Sequence, residues 1–161
     1  MCIEIEIQMH STPSELNVIP SDQLFKQWSQ TALKNFKNNA AKNNITILIR
    51  IVDEAESAHL NQQYRHKQGP TNVLSFPSNV PDFIDDPSLG DIIICAPIVN
   101  KEANQQHKNV INHWAHMVIH GILHCLGYDH LDDDSANKME TLEINILNQL
   151  GMTNPYVETS L

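Results

Sequence analysis

The chain has 161 residues, and its 19 acidic residues outnumber 10 lysines and arginines, which gives a formal net charge of −9. The length predicts a single domain over residues 1–161, with enough chain to bury a core without disulfide staples. The acidic balance by itself disfavours a nucleic-acid partner, since phosphate binding usually leaves a basic footprint, but the local field of a cleft can outweigh the net charge.

The three cysteines are an odd number without a C-x-x-C pair, which argues against a disulfide framework. The N-terminal residues lack the basic and apolar blocks of a secretory signal, and no apolar run reaches the length needed to cross a bilayer. These features predict a cytoplasmic protein with no membrane partner.

The first half of the chain alternates predicted strands and helices. Apolar residues at every second position indicate half-buried strands, whereas capping residues at Ser21 and Asp53 indicate where helices begin. On the first helix, Leu24, Trp28 and Ala32 recur at a spacing of four on one buried face. In chain order the elements are a strand over 3–8, a helix over about 21–38, a strand over 45–52, a helix over about 53–64 and a strand over 73–76.

The second half is mostly helical. A segment over 77–88 that is rich in Pro, Asp and Ser is a predicted loop, suited to a rim or lid. The elements that follow are a strand over 91–95, helices over about 97–107, 110–126 and 132–150, and a short loose tail from about residue 157. This order predicts an α+β fold, in which a small mixed β-sheet of about four strands packs with about five helices.

Three histidines near the end of helix 110–126 form the strongest motif of the chain. His120 and His124 are four residues apart and therefore lie on one helix face, one turn apart. Gly127 can take a positive φ and reverse the chain, so that His130 returns to the same point from outside the helix. Three nitrogens with one open position are typical of catalytic zinc, and the sequence therefore predicts one zinc ion, although nickel, iron or cobalt would suit histidine ligands similarly.

The spacing of these histidines is that of the metzincin proteases, H-x-x-x-H-x-x-G-x-x-H, and predicts a zincin-like metal helix in the core. Those proteases place their general base, a glutamate, directly after the first histidine. Here that position is Gly121, so a metalloprotease is a weaker hypothesis than a metal-dependent enzyme of another class.

Two further histidines on the same helix need separate interpretations. His116 shares the face of His120 and His124, but it is roughly 12 Å from His124 along the helix axis, too far for both to bind one ion. His116 is therefore a candidate for a catalytic group or for a residue that supports a ligand. His113 has no predicted chemical role.

Several segments together resemble the YbeY family of bacterial zinc-dependent endoribonucleases. The resemblance covers about residues 45–156 and is most specific at His120–His130, whose pattern is H-G-x-L-H-x-x-G-Y-D-H. The other matching segments are Leu60–Arg65, Pro70–Phe76, Leu89–Ile92, Leu142–Leu147 and Leu150–Tyr156.

The resemblance implies a single-strand-specific endoribonuclease that acts in rRNA maturation, at the 3′ end of the small-subunit rRNA, and in ribosome quality control. It places the metal ligands at His120, His124 and His130 and a functionally important arginine at Arg65. It also implies acids at two positions where this chain has Gln68 and Asn72, so a carboxylate role at those positions does not transfer.

The chemistry expected of such a site is cleavage of a phosphodiester by metal-activated water. Arg65 suits the transition state, because a guanidinium can donate two parallel hydrogen bonds to a phosphate, and Lys67 can add attraction for the substrate. His116 and Asp129 are alternative general bases, while Asp129 or Asp91 can orient a ligand imidazole. Attack by the RNA 2′-hydroxyl is a further route that the sequence leaves open.

A non-catalytic function is the main alternative to a nuclease. The metal would then be structural, and the protein would be an assembly factor that docks on the small ribosomal subunit or on a ribosomal protein. The acidic surface would suit a basic partner of that kind, whereas the open position on the predicted metal disfavours a purely structural ion.

Overall fold

The computed structural model describes residues 2–9, 17–36, 44–81 and 83–157. Within these ranges the chain forms four strands and five helices, as the sequence predicts. In chain order they are β1 (Cys2–Met9), α1 (Asp22–Lys34), β2 (Asn44–Val52), α2 (Glu54–Arg65), β3 (Val73–Pro77), β4 (Ser88–Cys95), α3 (Ala96–Gln105), α4 (Val110–Cys125) and α5 (Asp133–Gln149). None of the described helices combines the length and the apolar character that a membrane span requires.

Most predicted boundaries agree with the structure to within two residues, and two differ by more. Helix α1 starts after its cap Ser21 but ends at Lys34 rather than near residue 38; residues 37–43 lie outside the described ranges. Strand β4 begins at Ser88, three residues earlier than predicted, because a bulge lets it pair with β2 before its apolar run starts. The predicted loose tail falls largely on residues 158–161, which also lie outside the described ranges.

The sheet is mixed, with the strand order β1-β2-β4-β3. Strands β1, β2 and β4 are parallel, and β3 runs antiparallel to β4. Strand β3 is therefore an edge strand, with one side of its backbone directed away from the sheet. That free edge forms a wall of the cleft described below.

Alternation along the strands divides the core between the two faces of the sheet. Isoleucines such as Ile47 and Ile49 of β2 and Ile92 of β4 face a large cluster formed with α1, α4 and α5. On the opposite face, Ile93 packs in a smaller cluster with Leu60 of α2. Helix α4 thus lies in the middle of the larger core, as its apolar sequence predicts.

The burial of α4 singles out the two histidines that the motif predicts as ligands. From His113 to Cys125, every residue is buried except His120 and His124, which are half-buried. On the sheet side, Gly121 lets the helix approach β4 so closely that an added Cβ would lie 2.8 Å from Cγ2 of Ile92. Helix α4 is therefore open to solvent along this stretch only at its predicted metal-binding face.

Candidate metal centre

A tight turn at the end of α4 returns the chain to the ligand face. Gly127 has a φ of +99°, and its N–H donates to the carbonyl of His124, while the N–H of Tyr128 donates to the carbonyl of Leu123. These two bonds are those of a Schellman C-cap, in which the left-handed position favours glycine. The turn places His130 beside the last turn of the helix.

The three predicted ligands do converge. Ring nitrogens of His120, His124 and His130 lie within 4.8 Å of one another, and the Nε2 atoms of His120 and His124 are 3.0 Å apart. Burial, and then the neighbouring His120 and His130 rings, lower the pKa of His124 to about 4. At neutral pH its ring is therefore uncharged and keeps a lone pair for a cation.

This donor set fits a transition-metal ion. Nitrogens bound at about 2.0–2.1 Å to one tetrahedral ion lie roughly 3.3 Å apart, close to the separation of the Nε2 atoms of His120 and His124. Three imidazole nitrogens suit zinc and the neighbouring divalent metals. His130 is exposed, so the ligand set is open to solvent on that side.

Sequence reasoning missed a buried glutamate that supports the site. Glu143 of α5 is 0% exposed, and its Oε1 lies 2.5 Å from Nδ1 of His120. Burial alone raises the pKa of Glu143, but hydrogen bonds from His116 and His120 outweigh it and hold that pKa at about 2. A carboxylate that accepts the Nδ1–H of a histidine leaves Nε2 free for a metal and fixes the ring orientation.

A periodic signal could have revealed Glu143. The buried residues of α5 are Met139, Glu143, Ile146 and Leu147, which follow the i, i+4, i+7, i+8 spacing of a buried helix face. A lone carboxylate on such a face needs a partner, because an unpaired buried charge is costly. The partner itself, a histidine more than 20 residues earlier, is not visible in the periodicity.

His116 lies behind the ligands rather than in the cleft. It is buried, and its Nε2 is 2.8 Å from Oε2 of Glu143 and 3.3 Å from the hydroxyl oxygen of Tyr156. The structure therefore places His116 where it can support Glu143, and it does not bring the ring to the cleft that a catalytic role would require.

A cleft of about 610 Å³ opens beside the three histidines, along the free edge of β3. Arg65, the last residue of α2, lines it, and its Nη2 donates to the carbonyl oxygen of Ser75 at 2.7 Å. Its guanidinium also lies 5.5 Å from the ring centre of Phe76. Lys67 lines the same cleft, so two cationic side chains line the cleft beside the candidate metal centre of an otherwise acidic protein.

The two predicted aspartates lie in different places. Asp129 lines the cleft, and its Oδ1 accepts the backbone N–H of Leu131 at 3.3 Å, which is a turn contact. Asp91 lies on β4 with its side chain on the face opposite α4, beside Glu6. Burial and then Glu6 raise the pKa of Asp91. The structure does not bring Asp91 to the histidines.

Comparison with known proteins identifies the family. The family model described as "Endoribonuclease YbeY" matches residues 7–151. Two relatives with that name are similar over nearly the whole chain. The one from Coxiella burnetii is 49% identical and covers 97% of this chain and 99% of its own, and the one from Colwellia psychrerythraea is 46% identical and covers 96% and 97%. The chain belongs to the endoribonuclease YbeY family.

A solved structure supports the fold alone. The solution structure of TM1509 from Thermotoga maritima matches with a TM-score of 0.56 at 22% identity, and the match covers 95% of this chain and 99% of that one. Family membership confirms the resemblance to the YbeY family. The members of that family are named endoribonucleases, which are hydrolases that cleave RNA.

The contacts of Asn72 bear on one departure from the YbeY pattern. Its Nδ2 donates to both carboxylate oxygens of Glu102, at 3.1 and 3.3 Å, and its Oδ1 accepts the N–H of Val73. An acid at this position would set two carboxylates against each other. Glu102 also accepts from Nε2 of His113 at 3.3 Å, so Asn72 completes a polar cluster that an acid would disrupt.

The position of Gly121 bears on the protease hypothesis. Because an added Cβ would collide with Ile92 on the sheet side of α4, a longer side chain at residue 121 would have to displace the core. The general base of the metzincin proteases therefore has no space here, whereas the cleft offers cations suited to phosphate.

Proposed function

We propose that the protein is a metal-dependent endoribonuclease that cleaves single-stranded RNA in the cleft beside β3. The observation that carries this proposal is that His120, His124 and His130 converge in the same cleft as Arg65, in a chain of an endoribonuclease family. The three imidazoles would hold one divalent ion, most simply zinc.

The chain's own residues divide the work of the reaction. A cation held there would supply Lewis-acid chemistry, that is, polarisation of a phosphoryl oxygen and a water whose pKa is lowered toward neutrality. Arg65 faces the developing charge on the phosphate, and its bond to Ser75 holds the guanidinium in place before substrate arrives. Lys67 attracts the RNA backbone, and Asp129 is the carboxylate that lines the cleft and can accept a proton.

The biological setting is part of the same proposal and rests on the family. We infer that the substrate is rRNA, at the 3′ end of the small-subunit rRNA, and that the protein works in the cytoplasm with the small ribosomal subunit or a ribosomal protein. The acidic surface outside the cleft suits a basic protein partner.

An RNA digest with defined variants tests the proposal. Purified protein should cut a single-stranded oligoribonucleotide, a chelator should stop the cutting, and added zinc should restore it. His124→Ala should abolish cleavage together with metal binding. Arg65→Lys should slow cleavage by about a hundredfold at unchanged metal content. Lysine keeps the positive charge but cannot donate the two parallel hydrogen bonds of a guanidinium to the phosphate in the transition state.

His59→Ala is the matched control, because His59 is an exposed histidine of α2 that does not line the cleft. It should cleave like the unaltered protein. Equal cleavage by His124→Ala, Arg65→Lys and the control would refute the proposed site, even if the sample contained zinc.

A further inference from the structure

Tyr156 extends the support of the metal centre beyond α5. It lies in the segment that follows Gly151, and its hydroxyl donates to Oε2 of Glu143, the same oxygen that lies 2.8 Å from Nε2 of His116. The other oxygen, Oε1, is engaged by His120. Both oxygens of a fully buried carboxylate are therefore held by side chains.

This arrangement fixes the plane of the Glu143 carboxylate. A buried carboxylate with only one partner can rotate about its side-chain torsions, and each unsatisfied oxygen carries a desolvation cost. Here the donors on Oε2 oppose that rotation from one side while His120 engages the other oxygen. Hydrogen bonds to a charged acceptor are among the stronger ones in proteins.

The segment that carries Tyr156 is itself held in place. Nζ of Lys108, just before α4, donates to the carbonyl oxygen of Pro155 at 2.7 Å, and the N–H of Tyr156 donates to Oδ1 of Asn154 at 2.8 Å. The Tyr156 ring packs edge-on against His116, with ring centres 5.3 Å apart. The hydroxyl is thus delivered by a defined backbone.

We propose that Tyr156 and His116 are positioning residues of the metal centre. They hold Oε2 of Glu143 so that its other oxygen, Oε1, accepts the Nδ1–H of His120. This keeps Nε2 of His120 directed at the two other candidate ligands. The inference rests on the proposed metal site and extends it to a segment that lies outside both the three candidate ligands and the lining of the cleft. Its direct consequence is tighter retention of the metal.

The affinity for cobalt(II) tests this role separately from catalysis. The full chain would be stripped of metal, and its dissociation constant measured by competition with a chromophoric chelator, while the visible bands of bound cobalt report the ligand geometry. Tyr156→Phe removes only the hydroxyl and should weaken cobalt binding by about five- to tenfold, because the hydrogen bond that it removes is made to a charged acceptor. Tyr64→Phe is the matched control, because Tyr64 is 53% exposed, close to the 45% of Tyr156, but lies on α2; it should bind like the unaltered protein.

A second pair of variants separates positioning from packing. His116→Ala and His113→Ala each truncate a buried imidazole on α4 that contacts a glutamate. Both should lower the melting temperature of the metal-free protein, but His116→Ala alone should weaken cobalt binding by about tenfold or more. Losses of this size are usual when a group that helps to orient a metal-ligating histidine is removed.

The outcomes are distinguishable. If Tyr156→Phe binds cobalt as tightly as Tyr64→Phe, or if it lowers only the melting temperature of the metal-free protein, the positioning role is refuted while the metal site stands. If His113→Ala weakens binding as much as His116→Ala, the effect is one of packing and the inference also fails. If the unaltered protein binds no cobalt, the proposed metal site itself is wrong.

Discussion

Helix α4 makes two similar histidine–glutamate contacts, and they lie in different surroundings. His113 contacts Glu102 of α3, and one turn later His116 contacts Glu143 of α5. Glu143 is fully buried and continues to the candidate ligand His120, whereas the side chain of Glu102 is 27% exposed and does not reach the three histidines of the metal centre.

The second partner of each glutamate decides what the contact does. Glu102 also accepts hydrogen bonds from Asn72, the residue just before β3. Because Asn72 lines the cleft, this contact holds the rim of the cleft in place. Glu143 contacts Nδ1 of His120, whose Nε2 faces the candidate ligand His124. Burial raises the pKa of both carboxyls, but the hydrogen bonds that each accepts more than offset this effect. The pKa of Glu102 is therefore lowered, and the pKa of Glu143 is lowered to about 2. A histidine–glutamate contact can therefore support either a candidate metal ligand, as at Glu143, or the rim of the cleft, as at Glu102.

The largest expected difference between the two contacts is in metal affinity. Glu143→Gln keeps the size of the side chain but presents a neutral amide to His120, so zinc or cobalt affinity should fall by about 10- to 100-fold. Glu102→Gln, the matched change at the other contact, should leave the affinity within about twofold. Chelator competition on both variants measures the ratio, and equal losses would contradict the distinction drawn here.

A smaller effect is expected where Glu102 meets the cleft. Asn72→Asp replaces a donor by a carboxylate beside Glu102, so the free energy of unfolding should fall by about 1–2 kcal/mol at pH 7. The repulsion raises the pKa of the coupled carboxyls in the folded state, so the loss should grow as pH rises from about 4 to 7 and vanish in more acid solution.

Urea unfolding of Asn72→Asp across that pH range provides the measurement. In a Glu102→Gln background the same substitution should cost little, because no second carboxylate remains. A loss of equal size in both backgrounds would show that Glu102 is not the cause.

The smallest expected effect concerns the close packing of α4 on the sheet at Gly121. This packing sets the position of α4, and with it the two histidine–glutamate contacts, relative to the cleft. Gly121→Ala gains about 1 kcal/mol of helix propensity but forces a methyl against Ile92, an overpacking cost of about 1–3 kcal/mol. We expect a net loss of about 1 kcal/mol in the free energy of unfolding. If Gly121→Ala is stabilising, or if its cost persists in an Ile92→Ala background, the close approach is not what requires glycine.

Local patterns predicted much of this molecule because they act over a few residues. The alternation of Ile45, Ile47 and Ile49 indicated a strand with one buried face, and the capping residues placed the starts of α1 and α2 correctly. The α+β class and the mixed sheet are confirmed by the structure. The metal-ligand roles of His120, His124 and His130 stay predictions. So do the roles of Arg65, Lys67 and Asp129, the identity of the metal and the zincin-like description.

The sequence by itself determined that the three candidate ligands converge, because the spacing of His120 and His124 and the reversal at Gly127 are properties of one helix and its turn. Only the tertiary structure decided what surrounds that skeleton. Glu143 and Tyr156 follow α4 in the chain and contact its histidines only because the chain packs α5 and the segment after it against α4. Arg65 lines the cleft from α2. Asp91 points to the opposite face of the sheet because of its position along β4. Contacts of this kind depend on how distant elements pack together, and no local period of the sequence encodes them.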